Sequence, residues 1–244
     1  MKRLFKLAED KRTPLLNNLL GAICAFVSGA INAGGFISLG QYTSHITGVV
    51  ATAADSVALQ NIVLAIKSVG FVFQFFLGAF FATLLIQYAQ TLKLHSRFAL
   101  AFLVNGCVLV FLGIWTWIHP QYHSLLILEL GLFFSMGIQN ATVTQLSNYE
   151  LRATHMTGIV TDLGIETSKW IFDRAIFDSH RIRVLLLILT SFFIGGLSGA
   201  FSFKSSWGTL SLIGYGGVLI FLAIFPVYKD THIRMRYFKH KHKK

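Results

Sequence analysis

Apolar runs long enough to cross a bilayer leave this chain few ways to fold. With a window of about 19 residues, such runs fall near 15–36, 68–88, 98–118, 125–145, 184–203 and 208–228. A run of roughly 20 apolar residues crosses the ~30 Å hydrocarbon layer as an α-helix, because a helix satisfies every backbone N–H within its own segment. The chain is 54% hydrophobic and 13% charged, with a mean hydropathy of +0.63. The expected fold class is all-α, a polytopic membrane protein of six transmembrane helices, and 244 residues leave no room for a separate soluble domain. Residues 1–14 form a basic N-terminus, 15–118 and 125–228 two three-span blocks, and 229–244 a polybasic tail. A basic start before an apolar run also opens a secretory signal, but the run from Leu15 to about Phe36 outlasts a signal-peptide core and reads as a retained first span.

Charge sets the orientation. If the N-terminus is cytoplasmic, only Lys67 and Lys204 of the 21 Lys and Arg fall in segments on the far side. Both termini are therefore expected in the cytoplasm. The net charge of +11 gathers at span ends and in the tail Lys229 to Lys244, so anionic membrane lipid headgroups are the expected partner and nucleic acid is not. His232, His240 and His242 in that tail fit no defined ligand set, and Cys24 and Cys107 lie in apolar runs without a Cys-x-x-Cys pair. No metal and no cofactor is expected.

Two stretches repeat each other. Gly29-Ala30-Ile31-Asn32-Ala33 precedes Ser44-His45-Ile46-Thr47-Gly48, and Gly137-Ile138-Gln139-Asn140-Ala141 precedes Thr154-His155-Met156-Thr157-Gly158. Three crossings separate the copies, so they enter the membrane from opposite faces and the chain reads as two inverted three-helix repeats with broken or re-entrant segments. Phe75-Phe76-Leu77-Gly78 and Phe192-Phe193-Ile194-Gly195 add a second match, giving Gly78-x-x-x-Ala82 and Gly195-x-x-x-Gly199, a spacing that lets helix backbones approach closely. The third spans of the two halves show no match beyond apolarity and scattered glycine.

The intervals 37–67 and 146–183 carry the motifs and are too apolar and too rich in Gly and Thr for ordinary loops. Gly34, Gly35 and Gly40 predict an irregular segment from Phe36 to Thr43, with a new helix capped by Ser44 and, in the second copy, by Thr154. Gly48 to Ile66 reads as one helix too short to cross. Two helix N-termini near mid-membrane would suit an anionic or strongly polar group; the alternative is that Thr and Gly simply permit tight packing, for which the duplicated Asn and His are unnecessary. His45 and His155 are candidates for solute contact or proton relay, or are satisfied structural groups. Asn32 and Asn140 would tie broken helices together or coordinate solute. Thr47, Gly48, Thr157 and Gly158 complete the candidate site.

Acids are few. Asp162 and Glu166 share a helix face in the second copy only, since Thr52 and Ser56 hold the matching places; Asp55 lies nearby in the first. With Glu129, inside the fourth run, they are the candidates for ion coupling, and a pairing of Asp162 and Glu166 with Lys169 and Arg174 is the alternative. No catalytic constellation stands out.

The Gly-rich chain after the first span, the first His-x-Thr-Gly block and the block Thr154 to Gly164 resemble the YoaK family of bacterial membrane proteins, also called DUF1275 or UPF0700. The resemblance runs from about Leu15 to Tyr228; where that family often has Asn after the first Thr-Gly, this chain has Val49. It implies an integral protein of the bacterial inner membrane and lends no substrate. The expectation is a transporter-like protein that holds a small polar or anionic solute between the motifs while one half rocks against the other. A non-transporting scaffold, with Gly78 and Gly195 at helix or subunit contacts, and a lipid-modifying enzyme using His155 and Asp162 are the rivals. A homodimer of twelve spans is compatible with the small size.

Overall fold

The computed structural model describes residues 14–94, 96–120, 122–147 and 153–241, with side chains over 15–94, 96–120, 125–147 and 153–228. The basic N-terminus through Thr13, Arg152 and the side chains of the tail, including His232, His240 and His242, lie outside the described residues. Among the described residues eight α-helices follow in order: α1 Pro14–Leu39, α2 Ile46–Ala58, α3 Ile62–Thr91, α4 Arg97–Ile118, α5 Tyr122–Leu146, α6 Met156–Phe172, α7 Ser179–Lys204 and α8 Ser211–Lys241. A 3-10 turn at Gly208–Leu210 precedes α8, and no strand occurs among the described residues. The long helices α1, α3, α4, α5, α7 and the stretch Gly208–Tyr228 leading through α8 are each long and apolar enough to cross a membrane, at the six places the hydropathy predicts.

Three local readings are corrected. Gly34 and Gly35 do not break α1, which stays helical to Leu39; they make room, since a Cβ on Gly34 would meet the Phe203 ring and one on Gly35 the Thr43 methyl. Gly40 ends α1, with φ +71 and its N–H donating to the Phe36 carbonyl at 2.9 Å, the left-handed residue that closes many helices. The helix expected over 48–66 stops at Ala58. Gln60 turns the chain with φ 56, and Asn61 caps α3 by accepting a hydrogen bond from the Leu64 N–H at 3.1 Å. Lys67 therefore sits inside α3 rather than in an outer loop. Finally, α8 continues past Pro226 to Lys241, so the tail backbone is helical over most of its length.

Helix directions follow from which residues meet. Between α3 and α5 the partners Lys67 and Glu129, and Thr83 and Gln145, keep a sequence separation of 62, while Phe71 stacks on Phe133. The two helices run parallel. A Cβ on Gly78 would strike the Phe134 carbonyl and one on Gly137 that of Phe75. Between α1 and α7 the pattern recurs, with Gly29 against the Phe192 carbonyl, Gly195 against that of Phe26 and Gly199 against that of Ala30. Between α4 and α8, Gly106 meets the Gly216 carbonyl, Gly216 meets the Gly106 carbonyl, and Gly113 meets Leu212 and Ile213, with Thr209 of the preceding turn beside it; these helices are antiparallel. This reciprocal glycine contact joins the two third spans, whose sequences share only apolarity and scattered glycine. Asn105 with Gln139 and Leu112 with Gly131 set α4 antiparallel to α5, and a short connection folds α8 back on α7. Hence α1, α4 and α7 run one way and α3, α5 and α8 the other.

Candidate functional site

After α1 the chain turns back on itself. Asn32 Oδ1 accepts hydrogen bonds from the Ser44 N–H and hydroxyl, both at 3.0 Å. From Leu39 back to Asn32 is about 10 Å at 1.5 Å per helical residue, so α2 starts well inside the length of α1. The second copy does the same, with the Thr154 hydroxyl donating to Asn140 Oδ1 at 2.7 Å, also short of the end of α5. Ser44 and Thr154 thus spend their hydroxyls on asparagine instead of capping. The capping residues are His45, φ −91 and ψ 65, and His155, φ −87 and ψ 59, neither with a side-chain cap bond.

The glycine three places after each histidine has a steric reason. A Cβ at Gly48 would meet the His45 imidazole, and one at Gly158 the His155 imidazole, so His-x-x-Gly lets the ring fold over the first turn of its own helix. His45, Thr47, His155 and Thr157 are exposed, while Asn32, Ser44, Gly48, Asn140, Thr154 and Gly158 are half-buried. The order of buried, half-buried and exposed positions is the same, residue for residue, over 43–58 and 153–168.

Depth follows from the packing register. The α4–α5 contacts bring Gly106 level with Gly137, near the middle of α5, and Phe75 lies opposite Gly137 near the middle of α3. Ile46 and Val49 at the start of α2 pack in one cluster with Phe71, Phe75 and Phe133. Met156 and Ile159 at the start of α6 pack with Ala25, Ile188 and Phe192. Both short helices thus begin half-way along the spans, α2 seated on α3 and α5, α6 on α7 and α1.

The three acids proposed for ion coupling are each ion-paired. Glu129, buried on α5, pairs with Lys67 of α3 at 2.8 Å, and the Lys67 ammonium also lies 5.4 Å from the Phe71 ring centroid. Asp162 pairs with Arg181 at 3.1 Å. Glu166, 2% exposed, pairs with Lys169 at 2.8 Å and lies 4.0 Å from Arg181. The second partner expected for this pair, Arg174, instead stacks over Trp170 at 5.7 Å. The Lys169 hydrogen bond holds the Glu166 carboxyl below its ordinary value, aided by the Asp178 amide and the Arg181 charge. Asp178, which caps α7, is also held low, first by the Arg181 amide and then by that of His180. Gly78 and Gly195 are occupied by helix contacts within the chain. No group of three or more His, Cys, Asp and Glu able to hold a metal occurs among the described residues.

One polar cluster escaped the reading of the sequence. The Ser135 hydroxyl donates to Asn105 Oδ1 at 2.7 Å, Asn105 Nδ2 to Gln139 Oε1 at 3.3 Å, and Gln139 Nε2 to the Cys24 carbonyl of α1 at 2.8 Å. Asn105, Ser135 and Gln139 are fully buried, as is Ser28, whose hydroxyl has no partner. Two amides inside apolar runs were the available signal, the same cost of burial that drew attention to Glu129.

No curated protein matches the chain, and no solved structure does. A family model described as a protein of unknown function, DUF1275, matches residues 20–225. The chain, a helical protein of multi-pass membrane character, is a member of the DUF1275 family.

Proposed function

We propose that this protein is a transporter-like membrane protein whose two His-x-Thr-Gly motifs hold a small polar or anionic solute between them during alternating access. The observation that carries the reading is the duplicated geometry: the same asparagine-to-hydroxyl link, the same histidine at the cap and the same exposure pattern, at two short helices that both start half-way along the spans. Polar, non-helical chain at that depth is tolerated where it lines a cavity or is buried in protein, and two helix N-termini supply partial positive charge there.

The opposed helix directions of the two blocks favour an inverted repeat, with α2 entering from the outer face and α6 from the cytoplasmic face of a bacterial inner membrane, and both termini cytoplasmic. The clustering of Lys and Arg supports that orientation, and the tail then meets anionic headgroups. In this reading Asp162, Glu166 and Glu129 guard the ends of the path through their ion pairs. Uptake by reconstituted vesicles tests it, with a panel of glycerol, urea, formate and acetate. Flux of at least one solute should fall tenfold or more in the double variant His45→Ala/His155→Ala; equal flux in protein and protein-free vesicles, or unchanged flux in the variant, sinks the reading.

A further inference from the structure

The tightest contacts do not join helices of the same sequence half. Gly29, Gly195 and Gly199 lock α1 to α7, and Gly78 and Gly137 lock α3 to α5, each pair taking one helix from each half. Backbones that meet at glycine, where any Cβ would strike a carbonyl, do not slide without separating. The short helices follow these pairs, α6 on α7 and α1, α2 on α3 and α5. Two interleaved bodies result, α1–α6–α7 and α2–α3–α5, and the sequence halves are not units that can rock.

The bodies meet along α1 and α5, where a buried polar cluster is set into the apolar core that both helices share. The Gln139 amide of one body is bound to the Cys24 carbonyl of the other. Beside it lie Asn105, Ser135 and the unpartnered Ser28 hydroxyl, which stands one turn along α1 from Cys24, where a helical serine would otherwise bond that same carbonyl. The motifs sit where the chain changes body: Asn32 of α1 holds Ser44 before α2, and Asn140 of α5 holds Thr154 before α6. A buried hydroxyl without a partner, among amides with N–H groups to spare, costs about 1–3 kcal/mol that a hydrogen-bonding guest would recover. Charged groups keep away. The Lys67–Glu129 pair lies about 12 Å along α3 and α5 from Phe75 and Gly137 at 1.5 Å per residue.

We propose that the α1–α5 seam, and not a boundary between sequence halves, is the surface that opens, and that Ser28, Asn105, Ser135 and Gln139 bind a small uncharged hydrogen-bonding solute there. This rests on the transport reading and narrows its solute class. Native Cys24 reports on it. In a Cys107→Ser background, the anionic reagent 2-sulfonatoethyl methanethiosulfonate should modify Cys24 at least tenfold faster than a cysteine buried in the locked α3–α5 contact, made by Ala82→Cys with Cys24→Ser. Ala99→Cys serves as a second control if Ala82→Cys does not fold. Glycerol or urea should slow the modification of Cys24 and acetate should not. Cys24 no faster than the controls, or slowed by acetate alone, overturns the proposal. Vesicle flux separates the two readings: a reactive, protectable Cys24 without flux removes transport and keeps the binding seam, and flux with an unreactive Cys24 removes the seam and keeps transport.

Discussion

The helices α2 and α6 share a pattern of exposure position by position, yet they are held in different ways. Both start at a histidine, both are preceded by a hydroxyl bound to an asparagine of a long helix, and both rest on a long helix through the same relative positions. At the matching places Thr52 and Ser56 bond carbonyls of their own helix, while Asp162 and Glu166 are ion-paired to Arg181 and Lys169. What is shared is what the backbone requires to begin a helix half-way along a span. What differs belongs to one end of the molecule: Glu166 lies about 15 Å from the start of α6 at 1.5 Å per residue, which in the proposed arrangement reaches the edge of a ~30 Å apolar layer. There a charge pair is near water and cheap; at the other short helix the chain uses hydroxyls that bond locally.

The comparison is most easily broken at the glycines. Gly78→Leu and Gly195→Leu should each destabilise by about 3 kcal/mol or more, since the new side chain must displace a carbonyl of the neighbouring helix. Loss of monodisperse protein on size exclusion would show it, equally for both if the contacts are equivalent. Gly164→Ala, at a position open on all sides, should instead be neutral or raise stability by about 0.5–1 kcal/mol. One glycine of the pair tolerating leucine would mean that the two locked contacts differ. The asparagines come next. Asn32→Ala and Asn140→Ala each strip a hydroxyl of its acceptor and should cost about 1–3 kcal/mol in thermal or denaturant unfolding, with similar losses at the two sites.

The smallest effect is the one that should separate the copies. The folded Glu166 carboxyl has a lowered pKa, so its stabilising pairing is present above the ordinary glutamate value and is lost as pH falls through the lowered one. Asp178 adds to the same window in the same direction. Hydrogen exchange in α6 should accelerate on acidification through the carboxylate range while α2 is unaffected, and Glu166→Gln should remove much of that dependence. Equal acceleration in α2 would show that the charges are incidental.

Much of the architecture was readable in advance because a bilayer admits few solutions: six apolar runs fix six spans, and Gly78 and Gly195 stood out by their spacing. Local detail was harder. Gly34 and Gly35 look like breakers in a sequence, but their reason is the Phe203 ring and the Thr43 methyl, which only tertiary contacts reveal. Ser44 and Thr154 have the right chemistry for capping, and lost that role because a nearby asparagine offered a better partner. The Gly106–Gly216 pair was hidden because glycines scattered at no shared spacing carry no pattern, and the seam around Gln139 because an amide in an apolar run shows that it must be satisfied without showing by whom.

The account stands or falls on the two short helices entering from opposite faces to the middle of the spans. In a Cys24→Ser/Cys107→Ser background, single variants His45→Cys and His155→Cys in sealed, oriented vesicles can be challenged with a membrane-impermeant thiol reagent from each side. The account predicts that position 45 reacts from the outer side alone and position 155 from the cytoplasmic side alone, both more slowly than a cysteine at an exposed helix end. Reaction of both from the same side, or at the rate of a surface loop, would contradict it.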